Sequence, residues 1–428
     1  MSPNLPPGPR WPLAVQGAYM VFDRRGLFHR MRATHGKAFT LNLPSFGRTV
    51  MISERDQIKQ LFSASPDAVG NVQPNLGRML GKHSMFAMEG KQHRTERKLL
   101  VPPFHGKRLA VYEEIARDEA LKEFATWPVG TPFPTMPSTM RITLNIILRA
   151  VFGAEGTEFD ELREVLPPFV ELASRLQPLP FEASWGPWRR LARLRERYER
   201  IVDRLIDKAT DLDGRDDVLA MLLQARYEDG SSMSRQAIYD ELVTLLAAGH
   251  ETTANTLAWT VDRLRRHPEL LAELAGGENT ELLAATILEA QRSRSVIDIT
   301  GRRVLADEYE LGPWRIPKGT TMLVGIDLIH TDPDVFPDPD RFDPNRFLGT
   351  KADLYQWIPY GGGSRRCIGA AFAQMEMNVV LRTLLQEIVL EPTSEPDERF
   401  HGRGIAYSPA KGGLAIVHPR SRAITQKL

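Results

Sequence analysis

Trp357-Ile358-Pro359-Tyr360-Gly361-Gly362-Gly363-Ser364-Arg365-Arg366-Cys367-Ile368-Gly369 is the stretch on which the reading of this chain turns. Its three consecutive glycines give a backbone without Cβ atoms, able to lie against a flat ligand without clashes. From Ile368 to Leu385 the apolar residues follow a helical period, which places Cys367 at a helix N-terminus. The positive end of that helix, with Arg365 and Arg366 beside it, favours the thiolate over the thiol. Cys367 is the only cysteine in 428 residues, so no intrachain disulfide forms. A lone cysteine is either a buried small hydrophobe or a working thiolate.

Working outward, Ser234 to His267 is the longest helical pattern, with Ser234 as N-cap and Pro268 as stop. Such a helix is roughly 50 Å long, enough to cross a whole domain. Its centre, Leu242 to Ala248, is apolar nearly all round, which indicates burial. Gly249-His250-Glu251-Thr252-Thr253 then breaks the pattern. A glycine costs a helix about 1 kcal/mol relative to alanine, and an unpaired buried carboxylate costs much more. One reading leaves Glu251 in solvent and the threonines merely packed. In the other, the glycine lets a ligand approach while Glu251 and Thr252 relay protons or hold a water. Thr252 can also bond back to an earlier carbonyl and loosen the helix.

Helical patterning runs from Gln92 to about Leu288, with breaks near Pro102-Pro103, Pro128 to Pro137, Pro178 to Pro187 and Asp211 to Asp217. A hairpin is predicted over Phe39 to Ile52, turning at Pro44 to Gly47, and Asn71 to Met88 reads as a loop. Further strands are expected at Val304 to Leu311, Thr320 to Gly325 and Gly413 to Val417. The pattern is mainly α with a small β-rich lobe, without repeats or linkers. The expected unit is one domain over 1–428, with a flexible Pro-rich N-terminus over about 1–10. A net charge of +1 gives no reason to expect nucleic acid as a partner. No apolar run approaches the roughly 18 to 20 residues of a transmembrane anchor. With no signal-peptide pattern and a single cysteine, a cytoplasmic, soluble protein is expected.

Gly363, Arg365, Cys367 and Gly369 match the haem-binding signature Phe-x-x-Gly-x-Arg-x-Cys-x-Gly, and the chain resembles the cytochrome P450 family. Tyr360 stands where the signature has Phe, which puts a hydroxyl near the sulfur loop. Ala248 to Thr253 is similar to the family's oxygen-activation motif. Glu289 and Arg292 are three apart on a helix starting near Asn279, a spacing that alone usually means a solvated surface pair. They resemble the family's Glu-x-x-Arg pair, and Pro339-Asp340-Arg341-Phe342 resembles its Pro-x-Arg-Phe element. The motifs come in the family's order, and the resemblance extends from about Phe39 to Pro409, towards soluble bacterial members.

The resemblance implies the cytochrome P450 fold and haem b (iron protoporphyrin IX), with the Cys367 thiolate as axial ligand. It implies His93, Arg97, Arg365 and one of Arg302 or Arg303 as propionate partners. Arg303 is preferred because it directly precedes the strand-like Val304. It implies a buried triad of Glu289, Arg292 and Arg341 bracing the cysteine loop, and Glu251 and Thr252 as the proton-delivering pair. The implied pocket is lined by Met85, Phe86, Ala248, Ile297, Ile299 and Ala406, and takes a hydrophobic fatty acid, terpenoid, steroid or polyketide. Asp298 either caps a turn or meets a polar group of the substrate. The implied reaction is a monooxygenase hydroxylation using O2. Because nothing in the chain resembles a flavin or iron–sulfur domain, the electrons come from NAD(P)H through ferredoxin reductase and ferredoxin. The protein is expected to act as a monomer. A haem-thiolate peroxygenase or isomerase and a non-catalytic haem sensor are the alternatives; the acid–alcohol pair argues for O2 activation.

Overall fold

The computed structural model describes residues 4–72, 76–106, 108–153, 156–177, 179 and 182–420. The helices begin with α1 (Leu13–Phe22), α2 (Arg24–His35), α3 (Arg55–Phe62) and the single turn α4 (Gly77–Leu80). α5 (Gly90–Leu100) stops ahead of Pro102 and Pro103, where a missing N–H and the ring clash end helices. α6 (Arg108–Phe124), α7 (Met136–Phe152), α8 (Thr157–Leu176), α9 (Pro187–Lys208) and α10 (Val218–Gln224) follow. Part of the break expected at 178–187 lies outside the described residues.

α11 (Arg235–Arg266) matches the predicted long helix. Ser234 caps it by accepting the Ala237 N–H at 3.2 Å, and Pro268 opens α12 (Pro268–Glu273). Asn279 caps α13 (Thr280–Ser293) through the Leu282 N–H at 3.2 Å. α14 (Ile326–His330) and α15 (Ala370–Glu387) come last among the described residues.

The strands are β1 (Ala38–Leu43), β2 (Gly47–Ile52), β3 (Val69–Gly70), β4 (Phe133–Pro134), β5 (Ile299–Val304), β6 (Glu308–Leu311) and β7 (Trp314–Pro317). They continue as β8 (Thr321–Gly325), β9 (Ile388–Leu390), β10 (Phe400–Arg403), β11 (Ala406–Pro409), β12 (Leu414–Ala415) and β13 (Val417–Pro419). A five-stranded sheet runs β1-β2-β8-β5-β3, and the other strands form two-stranded ribbons. The predicted strand at Val304 to Leu311 is instead the end of β5 and all of β6, split by a turn. The loop expected over Asn71 to Met88 contains α4, and its residues 73–75 lie outside the described set.

The N-terminal segment is not free along residues 4–10. Thr40 Oγ1 donates to the Pro6 carbonyl at 2.7 Å and Thr40 N–H to that of Pro7 at 2.9 Å. The Asn4 carbonyl accepts the Arg315 N–H at 2.9 Å. Proline fixes φ and lowers the entropy lost on docking, so richness in proline here reads as an ordered strap. Among the described residues, no helix is long and apolar enough to cross a membrane.

The helical core closes around α11, whose residues Leu242, Val243, Leu246, Leu257 and Trp259 are buried. α7 packs along it. Thr139 and Thr143 of α7 donate across the interface to the carbonyls of Ala254 and His250, each at 3.0 Å. This arrangement leaves one stretch of a buried helix, Ala247 to Gly249 with Glu251 and Thr252, accessible in the interior.

Candidate active site

The cysteine loop is shaped by its glycines, though not for the reason expected. Gly361 and Gly363 both have φ +64, where glycine alone is unstrained. A Cβ on Gly362 would lie 2.1 Å from the Phe62 ring, and one on Gly363 would lie 2.2 Å from the Phe62 carbonyl. The bare backbone therefore serves close packing on α3. The Cys367 N–H donates to the Tyr360 carbonyl at 3.0 Å, and Gly369 is the N-cap of α15. Cys367 is accessible to solvent yet closely surrounded by protein, the signature of a group facing an internal cleft. Burial pushes its thiol up, and Gly369 N–H, Arg366 and Arg97 only partly offset this. The helix end and the arginines favour the thiolate, as expected, while burial opposes them more strongly. A coordinating metal ion ionises the thiol outright.

Three arginines and a histidine converge beside the loop. His93 and Arg97 come from one face of α5, Arg365 from the loop and Arg302 from β5. Burial, then Arg365, Arg97 and Arg302, hold the His93 imidazolium down to about 4. Burial and Arg365 lower Arg302 to about 10. Arg302 donates to the Gly362 carbonyl at 2.8 Å and Arg365 to that of Met88 at 2.5 Å. Glu89 is the carboxylate that faces Arg365. Such an excess of partly buried positive charge fits two propionates, and with an accessible thiol it fits haem b.

The preference for Arg303 is corrected. Arg303 is exposed, with its guanidinium near Gly319, and Arg302 points inward. Strand side chains alternate, so the residue sharing a face with buried Val304 is 302, not 303.

Glu289 and Arg292 are a buried pair, not a surface one. Both side chains are 0% exposed, with Arg292 Nε and Nη2 each donating to a Glu289 oxygen at 2.7 Å. Arg292 also donates to the carbonyls of His330 at 2.8 Å, Pro339 at 2.9 Å and Arg341 at 3.3 Å. Arg341 thus contributes its backbone, while its side chain is 67% exposed. The guanidinium near Glu289 belongs to Arg346, at 3.7 Å, and the Asp343 N–H donates to the same oxygen at 3.0 Å. The sequence carries the signal: Pro344-Asn345-Arg346-Phe347 is a second Pro-x-Arg-Phe, five residues on. His330, which sequence reasoning missed, links this brace to the loop. Its Nε2 accepts the Ile358 N–H at 3.0 Å and its Nδ1 meets Ser295 at 2.9 Å, while burial holds it neutral, down to about 3.

On α11, Thr252 Oγ1 donates to the Ala248 carbonyl at 3.1 Å. A Cβ on Gly249 would lie 3.1 Å from Ile147, so this glycine serves the approach of α7. Ala248 is the position open to the cleft. Glu251 is largely buried and pairs with Arg403 Nε of β10 at 3.4 Å. Burial raises its carboxyl, Arg403 lowers it and Glu171 of α8 raises it. No sequence signal marked Arg403. Removing its charge leaves burial and Glu171 unopposed. Arg403→Ala is therefore expected to move the Glu251 titration, and with it the alkaline limb of the pH–rate profile where a proton donor is lost, to higher pH. An unchanged limb in steady-state turnover from pH 5 to 8 would disconnect Arg403 from Glu251.

Met85, Phe86, Ile297 and Ile299 are partly accessible. Ala406 is instead buried with Trp259 and Val296, turned into the core. Asp298 is also buried and pairs with Arg24 at 2.9 Å, and its carbonyl accepts the Ile326 N–H at 2.8 Å. It braces a turn and is not free to meet a substrate.

A family model described as cytochrome P450 matches residues 6–416. The putative cytochrome P450 138 of Mycobacterium tuberculosis (strain ATCC 25618 / H37Rv) is 51% identical over 429 residues, covering 97% of this chain and 97% of that protein. The putative cytochrome P450 135B1 of the same strain is 36% identical over 438 residues, covering 97% and 92%. Retinoic acid-bound cyanobacterial CYP120A1 superposes with a TM-score of 0.86 at 20% identity, over 98% of this chain and 100% of that one. CYP175A1 from Thermus thermophillus gives 0.78 at 25% identity, over 97% and 99%.

Proposed function

The chain belongs to the cytochrome P450 family of haem-thiolate monooxygenases, and from that premise we propose that it places one oxygen atom of O2 in a hydrophobic fatty acid, terpenoid, steroid or polyketide. The observation that carries this reading is the accessible Cys367 beside the arginines Arg97, Arg302 and Arg365 and the imidazole of His93. When bound, the haem supplies the redox chemistry of O2 activation. The chain's own residues supply the rest.

Cys367 holds the iron, with Gly363 and Gly369 shaping the loop on either side of it. His93, Arg97, Arg302 and Arg365 hold the propionates. Glu289, Arg292 and Arg346 fix the loop from behind. Thr252 donates its one hydroxyl hydrogen to Ala248, which leaves its lone pairs free to accept in the cleft. Glu251 has its carboxyl raised by burial, so it holds a proton closer to neutral pH and can pass it towards Thr252. Met85, Phe86, Ala248, Ile297 and Ile299 give the substrate an apolar setting that limits water. The one cysteine, reserved for a metal, suits the reducing cytoplasm and a single-domain enzyme over 1–428.

Thr252→Ala is expected to cut product formation by roughly 10²-fold while NAD(P)H consumption continues and hydrogen peroxide accumulates. Full product yield per NAD(P)H in that variant would remove Thr252 from oxygen activation, and product formed equally well from peroxide alone would favour a peroxygenase. Electrons are proposed to arrive from NAD(P)H through ferredoxin reductase and an acidic ferredoxin docking at exposed Arg366. Arg366→Glu should weaken ferredoxin-supported reduction and flatten its dependence on ionic strength. If stopped-flow reduction keeps the parent's salt dependence, the docking site lies elsewhere.

A further inference from the structure

Tyr360, the departure from the family signature, sits at the centre of a hydrogen-bonded cluster. Its hydroxyl oxygen accepts from Gln291 Nε2 of α13 at 2.7 Å and from Gln374 Nε2 of α15 at 3.0 Å. Gln374 Nε2 also donates to Gln291 Oε1 at 2.7 Å. Both lone pairs of the phenol and both amide hydrogens of Gln374 are thereby used. The same tyrosine receives the Cys367 N–H at its carbonyl, at 3.0 Å. One ring away, Trp357 packs edge-on at 6.0 Å and donates its indole N–H to the Leu288 carbonyl of α13 at 3.1 Å.

We propose that Gln291, Tyr360 and Gln374 form a clamp that fixes the cysteine loop between α13 and α15, with the two glutamines as positioning residues for the thiolate. This rests on the haem-thiolate reading above. A phenylalanine at 360 has no oxygen to accept the two amides, so Gln291 Nε2 loses its acceptor and Gln374 Nε2 keeps only Gln291 Oε1. Because the Tyr360 carbonyl and hydroxyl belong to one residue, tension on the ring reaches the Cys367 amide directly. The clamp also keeps Gly369, whose N–H faces the sulfur, in register. Donors to a thiolate withdraw electron density and raise the potential of the iron behind it.

The test is a double-mutant cycle on the haem-loaded protein with Tyr360→Phe, Gln374→Leu and the double variant; Gln291→Leu is the second single. Loss of the red-shifted Soret band of the ferrous carbon monoxide complex is followed at a mildly denaturing temperature. Each single should lose thiolate ligation about 5- to 30-fold faster than the parent. The double should be no faster than the faster single, since either change opens the same clamp. Spectroelectrochemistry should give a lower reduction potential for each, a change that mere destabilisation would not produce. Singles that match the parent in both measurements, or effects that simply multiply in the double variant, would overturn the clamp. A parent without the thiolate band would instead overturn the haem-thiolate reading. The clamp would then be judged from the same cycle by thermal unfolding, where coupling supports it and additivity sinks it.

Discussion

Serine in place of Cys367 abolishes the red-shifted Soret absorption of the reduced carbon monoxide complex and brings monooxygenase turnover to background: this is the largest expected effect. A hydroxyl is far too weak an acid to replace a thiolate as an electron-donating ligand. The substitution is isosteric, and the site is already accessible, so little packing is disturbed. The fold should survive, with an unchanged far-ultraviolet dichroism spectrum and cooperative unfolding. Haem content is measured separately from the band position, because the cationic cluster can retain the porphyrin without the sulfur. A Soret band that stays red-shifted in Cys367→Ser would remove the basis of the functional reading.

The second large effect concerns stability. Arg292→Leu is expected to destabilise the protein by about 3–5 kcal/mol, because it strands the fully buried Glu289 carboxylate. It also deprives the carbonyls of His330, Pro339 and Arg341 of a donor. Arg346→Ala should show the same direction at smaller size, since its guanidinium faces Glu289 at 3.7 Å. Arg341→Ala should stay within about 0.5 kcal/mol of the parent, as exposed substitutions do. Urea melts of the three variants decide the matter. If Arg341→Ala were the costlier arginine-to-alanine change, the brace drawn here would be wrong.

Much of this architecture was legible in the sequence where local physics rules. Ser234, Pro268 and Asn279 punctuate helices through capping and steric effects that act within a few residues, and the structure places the boundaries there. The hairpin at 38–52 follows from its turn and alternation. What escaped depended on distance. Choosing Arg302 over Arg303 requires knowing which face of β5 meets the cleft, and buried Val304 already held that answer. Choosing between Arg341 and Arg346 required knowing which of two similar tetrapeptides folds back on α13. Gly249 and Gly362 were read as making room for a ligand, yet the atoms they accommodate belong to Ile147 and Phe62, far away in the chain. At Cys367 the sequence shows the charges that favour the thiolate but not the desolvation that opposes them. Arg403 and the docking of residues 4–10 left no local trace.

The cross-links from Thr139 and Thr143 to the carbonyls of Ala254 and His250 have a consequence for engineering. They fasten α11 to α7 from its rear, so that the two helices are held as one plank. A library that varies position 249 to reshape the chamber would press on Ile147 before it touched a substrate. Ala248, one residue earlier, is open to the cleft, which makes it the first choice for such a library.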